Sequence, residues 1–275
     1  MTLTLPPLIT GIIHGDEHAW LRACTMLGAY YRPEGGHRSA FDLIRSGDPY
    51  ADDGLLSGCD LAALSAVGVR LSPRRARRVL DDPEIHRLIA ALPRERDIVD
   101  ADDDVIGDSS AAAQLFHRLA DDADLGLGWK GAQAVLARVR PALFPLVTGP
   151  ERKALGVSKN MPALWRQLRD RLRDDDARLA YQLYYLVQTA PVWSELSQIQ
   201  VLMALVHLEA EEAKQQRSTA RTAADTHLAS QRREAKRARA LAAESARTSR
   251  HRRDASGRHA GEPISTSAVR LRDHR

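Results

Sequence analysis

Aromatic side chains are scarce, at 5% of 275 residues, which argues against a stacking platform for single-stranded nucleic acid. Cysteine is scarcer still: Cys24 and Cys59 are the only two. Neither has the spacing of a zinc ligand. Each falls among apolar neighbours in an expected helix, the setting of a buried free thiol. Long apolar runs are missing too. The longest strictly apolar stretch, Val201 to Val206, is far short of the ~20 residues that cross a bilayer. The N-terminal MTLTLPPLITG has no basic segment and carries a proline pair, so it makes a poor secretory signal. A cytoplasmic, reducing setting without membrane contact is the expectation. The chain has no Walker loop, no dinucleotide fingerprint behind a strand and no Ser/His/Asp signature. No cofactor is implied, and hydrolase and kinase chemistry have no constellation to rest on.

What is abundant is Ala, Leu, Arg and Asp, a mixture that favours helix. Apolar residues reach 44%, enough for a core. The expected fold is all-α: a multi-helix globular domain over 1–212 and a basic Ala/Arg-rich tail over 213–275. The net charge of +4 hides an asymmetry. Residues 214–275 carry 16 Lys/Arg against 6 Asp/Glu, net +10, and residues 1–213 carry 24 against 30, net −6. The tail almost lacks large apolar residues, so it reads as a solvated helix continuing the last one, with disorder after Gly257. A basic arm on an acidic body suits a polyanion or its own body as partner.

Residues 1–15 read as extended or irregular. Trp20, Cys24, Leu27 and Tyr31 line one face of a helix over Asp16–Tyr31. Ala40–Ile44 reads as strand or turn. Helix starts are signalled at Ser57-x-x-Asp60, Ser72-Pro73 and Asp82-Pro83. Asp100 to Asp104 reads as an acidic loop without the glycine and final glutamate of a calcium loop. A helix capped by Asp108 or Ser109 reaches about Ala123. A glycine hairpin and a helix over Trp129–Val139 follow. Further helices are expected over Pro162–Leu172, Arg178–Thr189 and Ser194 to about Glu212.

The stretch around the hairpin carries the functional signal. Gly126 and Gly128 permit a turn that brings backbone close to a phosphate. N–H groups at the start of the next helix then face the anion, and Lys130 adds a point charge. Leu127, Ala132, Val135 and Leu136 pin the turn to the preceding helix. Asp121, Asp122 and Asp124 crowd the same turn and oppose an anion. In Arg74, Arg75, Arg77 and Arg78 the body has its densest basic cluster, in the first turns of a helix where the dipole disfavours cations. These arginines await an anionic partner or pair with Asp81, Asp82 or Glu84. In the tail, Arg232, Arg233, Lys236, Arg237 and Arg239 suit sequence-independent phosphate contacts. His14, Asp16, Glu17 and His18 form a compact group that reads as a decorated helix start, with no metal implied.

LGLGWKGAQAVLA, residues 125–137, is similar to the Leu-Pro-Gly-Val-Gly-x-Lys-Thr-Ala turn of the helix-hairpin-helix DNA glycosylase superfamily. The likeness covers about 108–150. It implies that Lys130 matches the lysine that forms a Schiff base in bifunctional lyases. PALFPLVTG then resembles the stretch that ends on that superfamily's catalytic Asp, where this chain has Thr148. A neutral hydroxyl cannot supply the negative charge that base excision needs at the sugar. Leu125 and Gly131 also replace the superfamily's Pro and Thr.

Across about 28–207 the chain resembles a family of uncharacterised actinobacterial proteins. It does so through YYRPEGGHRSAFDLI, the Ser72-Pro73 helix and LGLGWKGAQAVLARVRPALFPLV. That family has Pro-Val-Tyr-Asp where Pro145-Leu-Val-Thr148 stands here. The leading expectation is a non-catalytic nucleic-acid-binding protein that meets double-stranded DNA or another polyanion. It would do so through Gly126, Gly128, Lys130, Arg74 and Arg75, with the tail adding non-specific affinity. The alternatives are a helical scaffold with a protein partner and a glycosylase or lyase that uses Lys130.

Overall fold

A computed structural model describes residues 3–32, 37–44, 55–157, 160–191 and 196–257. The protein is all-α, with no strand among the described residues. The chain divides into two compact units, Met1–Lys214 and Gln215–Arg275.

The first element corrects the reading of residues 1–15 as irregular: α1 spans Pro7–His14 and buries Leu8, Ile9, Ile12 and Ile13. The proline pair starts this helix, because Pro7 sits where the N–H has no partner anyway. Gly15 ends α1 in the left-handed conformation, and Asp16 then caps α2 (Glu17–Tyr30), accepting from the N–H of His18 and Ala19. Residues 37–43 form a third helix, α3 (His37–Leu43), where strand or turn was expected. It keeps Phe41 in the core. The helix start at Ser194 lies outside the described residues.

Ser57 and Asp60 cap α4 (Gly58–Ala63) reciprocally, Asp60 N–H to Ser57 Oγ and Ser57 N–H to the Asp60 carboxylate. A 3-10 turn, Leu64–Val67, follows and closes on Gly68. Ser72 caps α5 (Pro73–Asp81), and Asp82 caps α6 (Pro83–Ala90), both with Pro at the first helical position. The acidic stretch expected as a loop is instead a 3-10 turn, Ile98–Asp100, and a single-turn helix, α7 (Asp103–Ile106). Ile98 and Ile106 are fully buried there, so apolar anchoring outweighs the charge run.

Ser110, not Asp108 or Ser109, caps α8 (Ala111–Asp121). Next come α9 (Gly128–Val139), α10 (Gly149–Leu155), α11 (Met161–Thr189) and α12 (Gln198–Gly257). Along α11 the backbone breaks at Asp176 and Ala177, whose φ of 55° and 60° are left-handed. The two helices expected at Pro162–Leu172 and Arg178–Thr189 are thus one element with an interruption.

The core of the first unit runs through nearly every helix. Leu115 and Leu119 of α8, Val135 and Leu136 of α9, and Leu164, Trp165, Leu168 and Leu172 of α11 are all but completely excluded from water. Trp165 packs on Phe144, with ring centroids 4.8 Å apart. Each such side chain contributes about 1.5–3 kcal/mol of transfer free energy. Two polar ties cross this core. Arg138 donates from Nε (3.1 Å) and Nη2 (2.9 Å) to Asp60 Oδ1, and from Nη1 to the Phe41 carbonyl (2.8 Å). Arg140 donates to the carbonyls of Ile89 and Leu92 at the end of α6, and its burial pushes the guanidinium pKa down. Cysteine placement departs from expectation: Cys59 is exposed and Cys24 only half-buried. Cys59 occupies the outer side of the short α4, whose buried residues are Asp60, Leu61 and Ala63. Among the described residues no helix is long and apolar enough to cross a membrane.

Candidate functional site

The turn from Asp122 to Leu127 joins α8 to α9, and its shape comes from its own residues. Asp122 Oδ1 accepts the N–H of Asp124 (2.8 Å) and of Leu125 (3.1 Å), and its carbonyl accepts Gly126 N–H. Gly126 and Gly128 have φ of 63° and 61°, a region that costs an ordinary residue about 1–2 kcal/mol. Leu125 and Leu127 turn inward and are buried. Leu127 folds over Gly131, where an added Cβ would lie 2.8 Å from the Leu127 Cβ. That close approach accounts for glycine at 131. At the start of α9 no side chain caps the helix, in contrast to α2, α4, α5, α6, α8 and α11.

Two long side chains cross here, Arg75 from α5 to the turn and Lys130 from α9 to the segment before α5. The Arg75 guanidinium lies against Gly126: a Cβ there would sit 2.5 Å from Arg75 Cζ. In the opposite direction Lys130 reaches Gly68, where a Cβ would lie 3.4 Å from Nζ. Gly126, Lys130 and Arg75, read separately from the sequence, are therefore brought together. Arg74, beside Arg75, and Gly128, beside the turn, belong to the same region. Arg74, Arg75 and Lys130 are exposed, and none has an ion-pair partner among the described residues.

The acids expected to repel an anion here are engaged. Asp124 pairs with Arg78 (3.1 Å), and Asp121 meets His117 (2.9 Å). Asp122 and Asp82 share Arg118, at 3.2 and 2.8 Å. Burial alone would raise the Asp82 pKa. The Arg118 hydrogen bond and the N–H groups of Ile85 and Glu84 outweigh that and hold it below its ordinary value. Within the α5 cluster, Arg77 takes Asp81 (3.0 Å). The four arginines thus divide: Arg77 and Arg78 are paired, and Arg74 and Arg75 are left facing solvent beside the turn.

A family model described as a family of unknown function (DUF6308) matches residues 23–210. The chain belongs to DUF6308. No curated protein and no solved structure matches it. The DUF6308 span contains the whole hairpin and the α5 cluster, ends inside α12, and brings no activity with it.

Thr148, where the resemblance to glycosylases wants an acid, sits at the start of α10 in this DUF6308 chain. Its N–H (2.8 Å) and its hydroxyl both donate to Glu151 Oε2. Glu151 is completely buried, and its other oxygen meets His207 Nδ1 at 2.7 Å. This carboxylate begins a helix and ties it to α12 from within the core. The sequence contained its signal, Thr-x-x-Glu, the spacing of a capping box. Gly68 had no comparable local signal, because its role is a contact with Lys130 sixty-odd positions away. The tail residues Arg232, Arg233, Lys236 and Arg237 lie on α12 in the second unit, beyond the DUF6308 match, and are exposed. At 100° per residue Arg221, Arg232, Lys236, Arg239 and Arg247 share one face, and Arg233 and Arg237 lie round the flank. Among the described residues no group of three or more His, Cys, Asp or Glu is arranged to hold a metal ion.

Proposed function

We propose that this protein binds nucleic acid without catalysis, and that the α8–α9 hairpin of the first unit holds a phosphate of double-stranded DNA in the manner of a helix-hairpin-helix element. The observation that carries the reading is the pair of crossed contacts, Arg75 on Gly126 and Lys130 on Gly68. They gather two cations, neither paired among the described residues, at the uncapped start of a helix whose neighbouring carboxylates are engaged. A phosphate there meets backbone N–H groups, the positive end of the helix dipole and two positive side chains. Such contacts position a duplex without reading its bases. The tail is a second, separate source of affinity. Its basic face is long and exposed, interrupted by Asp225 and edged by Leu228, which suits counterion-release binding to any polyanion.

A salt-titrated binding assay on a fluorescent duplex tests this with three proteins: the full chain, a chain ending at Lys214, and the full chain with Lys130→Glu. The expected result is weaker but measurable binding by the shortened chain. In the Lys130→Glu chain the expected change is a loss of affinity and a shallower salt dependence. Binding abolished by shortening and indifferent to Lys130→Glu assigns all affinity to the tail and ends the hairpin proposal.

A further inference from the structure

The outer face of α11 changes character at its backbone break. Before Asp176 its polar side is charged, with the half-buried Arg166, Arg169 and Arg171 paired to Asp108, Asp103 and Asp174. After Ala177 the exposed face carries Tyr181, Tyr184 and Tyr185, left 61%, 51% and 49% open to solvent. They stand at i, i+3 and i+4, so one helix face presents all three. Tyr185 touches both neighbours, with ring centroids 6.1 Å from Tyr181 and 5.8 Å from Tyr184. The inward face is ordinary core, with Leu179, Leu183 and Leu186 buried, so these rings are not needed to pack the helix. Half the tyrosines of the chain are gathered here, on a protein short of aromatics. Composition averages over the chain, and the structure concentrates three of its few rings on one face.

Charge and area bear on the occupant. From Ala177 to Ser194 the chain has no Asp or Glu, although Asp174, Asp175 and Asp176 stand just before that stretch. Arg178, one turn before Tyr181, is exposed and has no ion-pair partner among the described residues. A second copy of the chain fits this face poorly. Three half-open rings offer on the order of 300 Å² per copy, about 600 Å² in a two-fold contact, short of the ~1,000 Å² of a stable interface. An unpaired nucleotide segment fits better. Its bases stack on the rings and its phosphate meets Arg178.

We infer that the tyrosine face of α11 is a stacking site for unpaired bases of a nucleic-acid strand, a second contact that rests on the reading of this protein as a nucleic-acid binder. The test uses the full chain and two labelled probes of equal length, a mixed-sequence single strand and its duplex. The variants are Tyr181, Tyr184 and Tyr185 all replaced by Gln, the same three replaced by Phe, and Lys130→Glu. With the rings removed, single-strand affinity falls about tenfold or more, a loss that persists at high salt, and duplex affinity stays constant. The Phe variant, which keeps the rings, binds as the parent does. Unchanged single-strand affinity in the Gln variant overturns the proposal. So does the absence of single-strand binding, or a change from dimer to monomer in sedimentation. If Lys130→Glu leaves duplex binding unaltered but the Gln variant loses the single strand, the hairpin reading fails and the stacking site stands.

Discussion

Alanine at Gly126 and, separately, at Gly128 distinguishes a backbone effect from a charge effect at the hairpin. Both glycines are left-handed, with φ of 63° and 61°. Each replacement therefore costs about 1–2 kcal/mol in strain, partly offset by about 0.4–1 kcal/mol from the stiffer unfolded chain. The net loss, on the order of 1 kcal/mol, lowers the melting temperature by about 2–4 °C in a unit of this size. The two positions differ in what stands above them. At Gly128 an added Cβ meets nothing within 4 Å, whereas at Gly126 it lies 2.5, 2.7 and 2.8 Å from three atoms of the Arg75 guanidinium. Arg75 is exposed and swings aside at little cost to stability, but it leaves the turn. If one phosphate contact goes with it, the slope of log affinity against log salt becomes shallower by about 0.9 in Gly126→Ala alone. Urea unfolding and salt-titrated fluorescence anisotropy on a duplex read the two quantities. Equal affinity and equal slope in both variants would refute the role given to Arg75, whatever the stability data show.

Further outcomes follow from the same contacts. Arg138→Ala strands the Asp60 carboxylate in the core and should cost about 3–5 kcal/mol in urea unfolding; a loss below 1 kcal/mol contradicts the buried pairing. Asp82 has its carboxyl held below the ordinary 3.8, so its contribution is present above that range and lost as pH falls through it. Wild type should lose more stability than Asp82→Asn between about pH 7 and pH 3, and parallel acid limbs would dismiss the Arg118 contact as a stabiliser. Borohydride treatment with abasic DNA should trap no adduct on Lys130, because Thr148 and Glu151 are engaged in starting α10; an adduct absent from Lys130→Ala would make the protein a lyase.

Features that depend on neighbours in sequence were legible in it. Ser57 with Asp60, Ser72 with Pro73, and Asp82 with Pro83 announce three helix starts within four residues each, and the structure uses all three as read. The inward positions of the hairpin, Leu127, Ala132, Val135 and Leu136, follow from helical periodicity and are buried. Short apolar helices were harder. Pro6-Pro7 resembled an irregular lead-in because a proline that starts a helix and one that forbids it look alike until Leu8, Ile9, Ile12 and Ile13 find a core. Arg75 over Gly126 was out of reach. It joins residues 51 positions apart, and nothing local to either distinguishes Arg75 from Arg77, which folds back on Asp81. The tyrosine face was hidden for another reason. Tyr181, Tyr184 and Tyr185 have the spacing of core residues, and only the burial of Leu179, Leu183 and Leu186 shows which side of α11 faces outward.

The Asp122 carboxylate, which holds the turn through the N–H groups of Asp124 and Leu125, has a kinetic consequence. With Leu125 and Leu127 already seated in the core, the hairpin has no loop left to freeze when an anion arrives. The ordering cost is met during folding and not during association. Capture at this turn should therefore proceed at a rate governed by long-range charge, quick at low ionic strength and slowing smoothly with added salt, without a lag from local folding. On the proposed reading Asp122, an acid beside the phosphate site, would quicken binding by making the turn rigid.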